Sequence, residues 1–266
     1  MTRIVQVDAF TDRPFAGNPA AVCVLPGAAE ERFMRDVARE MNLSETAFLH
    51  PEGDAWRLRW FTPTVEVDLC GHATLAAAHV LWEEGHVPAT AEARFETRSG
   101  RLTARRAGKW IEMDFPAEPP ESVALPDAMG RALGVGRDGV RSEYVGKNRM
   151  DYIVDVASPD VVRALQPDFA LLRKLPARGV IVTARSDDPE YDFISRFFAP
   201  AAGVDEDPVT GSAHCCLGPY WAGKLGKTDL TGFQASPRGG VVRTRPAGPR
   251  VILGGQAVTV LEGTLR

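Results

Sequence analysis

A short motif occurs twice in the 266-residue chain, and it predicts a fold that is built from two similar halves. Phe61-Thr62-Pro63 is echoed by Phe198-Ala199-Pro200, and an aspartate follows each proline five residues later, at Asp68 and Asp205. Each copy then passes through a short loop with glycine and threonine into a run of small residues. The matched order of these elements favours duplication over chance resemblance.

Short apolar segments between turn residues predict many strands and few helices. Strands are expected at residues 3–10, 20–25, 46–49, 55–61, 93–97, 102–106, 110–115, 152–156, 179–183, 193–198, 240–245, 250–253 and 257–261. Helices are expected at 28–41, 127–133 and 160–165, and after each loop of the repeat. This pattern is typical of an α+β fold, in which each half wraps a curved, mostly antiparallel sheet around a small-residue central helix.

The proline-rich segment Pro116-Ala117-Glu118-Pro119-Pro120 resembles a linker and predicts where the two halves divide. We therefore expect an N-terminal half over residues 1–117 and a C-terminal half over residues 118–255.

The overall composition excludes several classes of function. The net charge is −4 with scattered basic residues, which argues against binding to nucleic acid or to a membrane surface. No apolar run approaches the roughly 20 residues of a membrane span, and the N-terminus reads as a strand rather than a secretory signal. The four cysteines form no CxxC pair, so we expect free thiols in a cytoplasmic protein.

The two loops of the repeat each precede a small-residue helix, after Cys70-Gly71-His72-Ala73-Thr74 and after Thr210-Gly211-Ser212-Ala213. Helix N-termini carry unpaired N–H groups and partial positive charge. If the halves face each other, both N-termini would meet at one cleft, bind a carboxylate and stabilise an enolate. The alternative is an ordinary helix cap, in which Thr210 or Ser212 satisfies the end of its own helix.

Three ionisable residues are candidates for acid/base chemistry. Glu45 lies where a helix gives way to an apolar strand, and partial desolvation there suits a general acid/base, although a solvent-facing turn residue would look the same. His72 lies within the glycine loop rather than on an apolar helix face. Asp207 ends a run of three acids and could simply cap a helix. Three adjacent acids also repel one another unless a cation lies nearby, and protonated His72 is a candidate for that cation.

We expect no metal and no organic cofactor. Cys70-x-His72 and His214-Cys215-Cys216 lack the paired ligand spacing of structural zinc sites, and the adjacent cysteines are expected to fill space in a buried helix. The glycines at 134 and 136 are not preceded by a predicted strand, as a dinucleotide-binding loop would require.

Taken together, these motifs resemble the phenazine-biosynthesis-like family, which shares the diaminopimelate-epimerase fold. The matching segments run in family order along essentially the whole chain: residues 7–11, 15–22, 41–46, 59–63, 70–74 and 206–213. The resemblance implies that the last strand, about residues 256–266, returns to the first half. It also implies a homodimer.

The resemblance further assigns roles within a site. Glu45 matches the proton-transfer glutamate, and His72 and Asp207 match residues that position the substrate and relay protons. The implied substrate-binding residues, which hold a small carboxylate, are Gly71, Ala73, Thr210, Gly211 and Ser212.

Two departures separate this chain from the best-known relatives. It has Cys70-Gly71-His72-Ala73 where the phenazine-pathway member has Ala-Gly-His-Pro. The resemblance therefore implies the family's fold and proton-transfer chemistry more strongly than it implies the phenazine substrate. The related epimerases use one cysteine from each half, whereas the second loop here has none. We therefore expect a cofactor-independent isomerase. Two alternatives stay open: an epimerase or racemase of an amino or hydroxy acid, with Cys70 opposing Glu45 or Asp207, and a non-catalytic protein that binds a metabolite or another protein.

Overall fold

The computed structural model describes residues 1–136 and 141–266 and is an α+β fold dominated by strands, as the sequence predicts. Residues Met1–Phe115 and Ile252–Arg266 form one compact unit, and Pro116–Val251 forms a second. No helix among the described residues is both long and apolar enough to cross a membrane.

The first unit contains the first eight strands of the chain, two helices and the last strand. These elements are β1 (Thr2–Ala9), β2 (Asn18–Val24), α1 (Glu31–Met41), β3 (Glu45–Glu52), β4 (Ala55–Phe61), β5 (Glu66–Val67), α2 (Gly71–Glu83), β6 (Ala93–Thr97), β7 (Gly100–Ala107), β8 (Trp110–Pro116) and, later, β17 (Ala257–Leu265).

The second unit begins with a short strand and has its longest helix near its end. Its elements are β9 (Glu121–Ser122), α3 (Asp127–Leu133), β10 (Ser142–Lys147), β11 (Asp151–Val156), α4 (Pro159–Ala164), α5 (Phe169–Leu172), β12 (Gly179–Arg185), β13 (Phe193–Phe198), α6 (Gly211–Leu225), β14 (Leu230–Gln234) and β15 (Gly240–Ala247). The strand β16 (Arg250–Gly255) begins in the second unit, and its residues from Ile252 onwards belong to the first.

The same strand order occurs in both units. In the first, β1–β2 is antiparallel, β2–β3 is parallel across α1, β3–β4 is antiparallel, and β4–β6 is parallel across α2. In the second, β10–β11, β11–β12, β12–β13 and β13–β14 repeat this alternation, with α4 and α5 in the place of α1 and α6 in the place of α2. The motif phenylalanines Phe61 and Phe198 end corresponding strands, β4 and β13, which supports the duplication.

The last strand of the chain belongs to the first unit. β17 pairs antiparallel with β1 from Thr2↔Leu265 to Ala9↔Ala257, with an irregularity between Gln6 and Val7. The sheet of the first unit is therefore assembled from two ends of the described chain.

Each unit has a buried helix with many small residues. In α2, residues 72–78 and 80–82 are all buried, and the helix packs against β1, β2 and β3. In α6, Gly218 faces β15 so closely that a Cβ there would lie 3.0 Å from Thr244 Cβ and 3.3 Å from Val251 Cγ2. Small residues allow this close approach of helix and sheet.

The sequence did not predict the strands β5, β9, β10 and β14, and the last two each contain a glycine beneath an aromatic ring. A Cβ at Gly232 would lie 2.3 Å from Phe193 Cε2, and one at Gly146 would lie 2.6 Å from Tyr144 Cε1. The rings occupy the space that a side chain would fill, so a glycine typical of a turn is accommodated within a strand. The short helix α5 was also not predicted.

The predicted first helix, residues 28–41, begins later than expected, at Glu31, because Glu30 is extended.

The glycines that follow α3 have the spacing of a dinucleotide-binding loop, at Gly134, Gly136 and Gly139, of which Gly139 lies outside the described residues. Gly134, however, ends α3 in the left-handed conformation, at φ 65°, whereas a dinucleotide-binding loop follows a strand. The spacing therefore does not indicate a nucleotide site here.

Candidate active site

Glu45 is the first residue of β3, at the helix-to-strand junction that the sequence predicts. Helix α1 ends at Met41, and its C-cap residue Asn42 adopts the left-handed conformation (φ 50°) and donates its N–H to the carbonyl of Ala38. β3 then starts in parallel register with β2, where Glu45 is opposite Ala20. The Glu45 side chain keeps 18% of its surface exposed, so it is partly desolvated but accessible.

His72 lies directly beside Glu45. It is the second residue of α2, its side chain is only 6% exposed, and its Nε2 is 3.3 Å from Glu45 Oε2. Burial lowers the pKa of His72 to about 3, so the imidazole is neutral at physiological pH. The structure thus brings two of the three predicted catalytic residues together, but as a carboxyl group next to a neutral ring.

The other ring nitrogen of His72 has two neighbours. Its Nδ1 lies 3.3 Å from Nδ2 of Asn18 and 3.5 Å from Sγ of Cys70. Asn18, the first residue of β2, is completely buried. Sequence reasoning placed Asn18 within a family motif but gave it no function.

A glycine makes the position of Asn18 possible. Gly17 has φ +63°, and a Cβ at this position would lie only 2.1 Å from the carbonyl oxygen of Ala9. Any other residue at position 17 would collide with β1 in this conformation. The Gly-Asn sequence is therefore the local signal that could have drawn attention to Asn18.

Glu45, Cys70 and His72 also form a cluster of possible metal ligands, because one ligand atom from each lies within 4.8 Å of the other two. The two nitrogens of His72 face different partners, with Nε2 towards Glu45 and Nδ1 towards Cys70. A metal ion binds only one nitrogen of an imidazole. The arrangement therefore does not favour a metal centre.

In the second unit, Asp207 and Thr210 lie together in the loop before α6. Thr210 is the N-cap residue, but its hydroxyl makes no cap hydrogen bond and instead donates to the carboxylate of Asp207. The ordinary-cap alternative thus does not hold for Thr210. A buried side chain that sequence reasoning missed, Gln234, fastens this loop: it accepts from the Thr210 N–H at 2.9 Å and donates to the Asp207 carbonyl at 2.7 Å.

Ser212 is held from another direction. Its Oγ accepts a hydrogen bond from Arg178 Nη2 at 2.9 Å, and Arg178 also forms a bidentate ion pair with the buried Asp151. Asp151 is the first residue of β11 and Arg178 immediately precedes β12, and neither was expected to contribute to this loop. The contact comes from residues far away in the sequence, so no local pattern marks it.

The acids before Asp207 are paired with arginines, not with a protonated His72 as the sequence suggested. Glu206 forms a bidentate pair with Arg196 at 2.7 and 2.8 Å, and Asp205 lies 3.4 Å from Arg173. The neutral state of His72 agrees with this correction.

The remaining loop residues lie at or near the two helix starts. Gly71 and Gly211 are the first residues of α2 and α6, and Ala73 is completely buried in the first turn of α2.

All four cysteines are free and buried, including Cys215 and Cys216, for which the sequence predicts burial in a helix. Cys215 and Cys216 are buried residues of α6, and burial raises the pKa of the Cys215 thiol to about 12. His214 is committed to its own helix, since its Nδ1 lies 2.8 Å from the carbonyl oxygen of Thr210.

The family model described as "Phenazine biosynthesis-like protein" matches residues 7–263. An uncharacterized isomerase of Halalkalibacterium halodurans is 54% identical over 99% of this chain and 98% of its own length. A solved structure of the phenazine biosynthesis protein PhzF family from Enterococcus faecalis is 41% identical, with a TM-score of 0.93 over 98% of each chain. A probable proline racemase from Agrobacterium radiobacter shares the fold, with a TM-score of 0.64 at 12% identity over 100% of this chain and 93% of that one.

Proposed function

The chain belongs to the phenazine biosynthesis-like family and is an isomerase, and we propose that it moves a proton on a small carboxylate substrate with Glu45 as general acid/base. The observation that carries this proposal is the pairing of an accessible carboxylate with a buried, neutral imidazole 3.3 Å away. A histidine cation would hold Glu45 in an ion pair, whereas a neutral ring leaves the carboxylate able to act as a base.

The proposed reaction needs no oxidant, reductant or added group. The Glu45 carboxylate takes a proton from a carbon next to a carboxylate or an unsaturated system, and the electron pair of that C–H bond delocalises into the neighbouring group. The protonated Glu45 then returns the proton to a different carbon, and the electron pair forms the new C–H bond there. The substrate and product therefore have the same composition, as isomerisation requires.

The start of α2 provides a place for the substrate carboxylate. The side chain of Cys70, the N-cap residue, makes no cap hydrogen bond, so it leaves the N–H groups of the first turn to other partners. Helix N-termini attract anions and stabilise negative charge as it develops. Gly71 and Ala73 lie in this turn, which supports their assignment to substrate binding.

The family resemblance assigns Asp207, Thr210, Gly211 and Ser212 to the same reaction, and this forms the second part of the proposal. The hydrogen bonds from Gln234 and Arg178 fix the loop that carries them, as expected for a preorganised binding loop. An Asp207→Asn variant tests the assignment, because a loss of turnover in a folded protein is expected only if this carboxylate takes part. We also propose a homodimer, to be checked by light scattering.

The epimerase alternative with Cys70 and Glu45 as opposing bases fits the geometry less well. Two bases on opposite faces of a carbon, each about 3 Å from it, would be about 6 Å apart. The ligand atoms of Cys70 and Glu45 are within 4.8 Å. The non-catalytic alternative is set aside, because the chain is an isomerase.

The central test replaces Glu45. A panel of small unsaturated carboxylic, amino and hydroxy acids is incubated with the protein in D₂O, and NMR follows deuterium entering each carbon. We expect Glu45→Gln to slow exchange and turnover by roughly 10²–10⁴, because the amide keeps the shape but cannot accept the proton. Label at a new carbon indicates isomerisation, and label at the original carbon indicates epimerisation.

Glu52→Gln is the matched control, because Glu52 ends the same strand but is exposed and forms an ion pair with Arg57 at the surface. Its turnover is expected to match that of the unmodified protein. Near-normal exchange in Glu45→Gln, or a panel in which no acid exchanges, would count against the proposal.

A further inference from the structure

We propose that Asn18 is a positioning residue that holds His72 as the Nε2–H tautomer and so directs the ring proton towards Glu45. The role matters for catalysis only if the proposed function is correct, but the orientation itself belongs to the free protein. No role for Asn18 follows from the sequence motifs alone.

A neutral imidazole carries one proton, and each of its nitrogens has a different environment here. Because the His72 side chain is only 6% exposed, water does not decide which nitrogen holds the proton. In such a site the tautomer follows the hydrogen bond made by the opposite nitrogen. The groups around Nδ1 therefore determine what Nε2 presents to Glu45.

The Asn18 amide nitrogen is a donor, and it lies 3.3 Å from Nδ1 of His72. A donor at this place needs a lone pair on Nδ1, which leaves the ring proton on Nε2. Glu45 Oε2 lies 3.3 Å from Nε2, although Nε2 makes no hydrogen bond among the described residues. In the opposite tautomer, an N–H on Nδ1 would face the Asn18 amide protons, and a lone pair on Nε2 would face the carboxylate.

Cys70 is the second neighbour of Nδ1, at 3.5 Å from Sγ. A thiol is a weak donor, so its S–H favours the same tautomer but less strongly than an amide does. The backbone holds Asn18 more firmly in place: it pairs with Ala9 in the β1–β2 ladder, and Gly17 fixes the entry to the strand. We therefore assign the orientation to Asn18.

His214 provides an internal comparison within the same protein. It is also completely buried, but its Nδ1 lies 2.8 Å from the carbonyl oxygen of Thr210, which can only accept. His214 must therefore carry its proton on Nδ1. The two buried histidines are expected to be opposite tautomers.

The test is ¹⁵N NMR on free protein labelled at histidine, where the two nitrogens of a neutral ring have well-separated shifts. A His72→Gln variant assigns the His72 signals. We expect Nε2–H for His72 and Nδ1–H for His214 in the unmodified protein. Finding Nδ1–H on His72 would overturn the proposal.

Three variants then separate the neighbours of Nδ1. Asn18→Asp places an acceptor of the same shape there, so the proton should move to Nδ1 or the ring should become charged. Asn18→Leu removes the amide donor to Nδ1. Cys70→Ala removes only the thiol, so His72 should keep the Nε2–H tautomer in this variant. An unchanged His214 signal shows that a variant is folded. The role of Asn18 would be contradicted if His72 kept the Nε2–H tautomer in Asn18→Asp. It would also be contradicted if His72 lost that tautomer in Cys70→Ala.

Turnover gives a second readout. Asn18→Leu should lower kcat by about 10- to 100-fold with little change in KM, the size of effect seen when a residue that orients a metal-binding histidine is replaced. Glu45→Gln separates this inference from the proposed function. If the tautomer is as expected but Glu45→Gln retains activity, the catalytic proposal fails while the orientation by Asn18 stands.

Discussion

His72 and His214 lie in the first turns of the two buried helices, and both are neutral for the same physical reason. Burial lowers the pKa of His72 to about 3 and that of His214 to about 4. Desolvation penalises the charged ring, so each position accepts histidine only without its second proton. The two residues nevertheless use that state differently, since His72 lies beside a carboxylate and His214 binds its own helix.

These depressed pKa values predict that the protein loses stability in mild acid. Between the ordinary histidine pKa of 6.5 and the folded values of about 3 and 4, the unfolded chain binds protons that the folded chain does not. Stability is therefore full above pH 6.5 and falls as the pH drops, by about 1 kcal/mol per pH unit for each histidine. Urea unfolding at a series of pH values measures this slope.

The variants His72→Gln and His214→Gln should each reduce the slope between pH 6 and about 4.5. The exposed His86 is the control, and His86→Gln should leave it unchanged. Equal slopes in all four proteins would show that other groups control the acid sensitivity.

The cluster of Glu45, Cys70 and His72 makes metal dependence a separate question at the residue scale. We expect protein dialysed against a chelator to keep full activity and to show no visible chromophore, because the two nitrogens of His72 face different partners. Activity lost to the chelator and restored by zinc would contradict this and would identify the three residues as ligands.

The residues of the site differ in how far the sequence could predict them. Glu45 and His72 lie within contiguous motifs, and their proximity is as expected. Gln234, by contrast, reaches Thr210 across 24 positions, and Arg178 reaches Ser212 across 34. Such partners are chosen by the pairing of strands, so only the folded arrangement reveals them.

At the scale of elements, α6 shows how closely a helix and a sheet can pack. Gly218→Ala is expected to destabilise the protein by about 1–3 kcal/mol, because its Cβ would lie 3.0 Å from Thr244 Cβ and force the neighbours apart. Gly223 in the same helix has nothing within 4 Å of the corresponding position. Gly223→Ala should therefore stabilise by up to about 1 kcal/mol. Thermal unfolding of both variants measures the difference.

Both substitutions give the same gain in helix propensity. If both variants changed the unfolding temperature in the same direction and by the same amount, α6 and β15 would not be tightly packed at Gly218. Opposite shifts are the expected outcome. The comparison isolates packing, because the two glycines differ chiefly in what surrounds them.

Elements with a regular apolar pattern were predicted closely. The strands Ala55–Phe61, Ala93–Thr97 and Phe193–Phe198 and the helix Asp127–Leu133 have the predicted bounds. The apolar pattern did not predict β10 and β14, because each contains a glycine, which is typical of a turn. In the structure an aromatic ring covers each of these glycines. A cross-strand or same-strand ring cannot be inferred from a short window of sequence.

For the molecule as a whole, the repeated motif was the most informative signal. It predicted two similar halves, and both units have the same alternation of antiparallel and parallel strand pairs. Their sequences differ at the starts of the two buried helices. Cys70 precedes Gly71-His72 at the start of α2, whereas Thr210 precedes Gly211-Ser212 at the start of α6.

The return of β17 to β1 has a consequence for translation. Leu265 pairs with Thr2, and the whole of Pro116–Val251 is synthesised between these two strands. At roughly 5–20 residues per second, β1 leaves the ribosome on the order of 10–50 s before its partner does. In the nascent chain the second unit can therefore fold first, while β1 keeps one edge open to chaperones or to mispairing until the ribosome has passed residue 265.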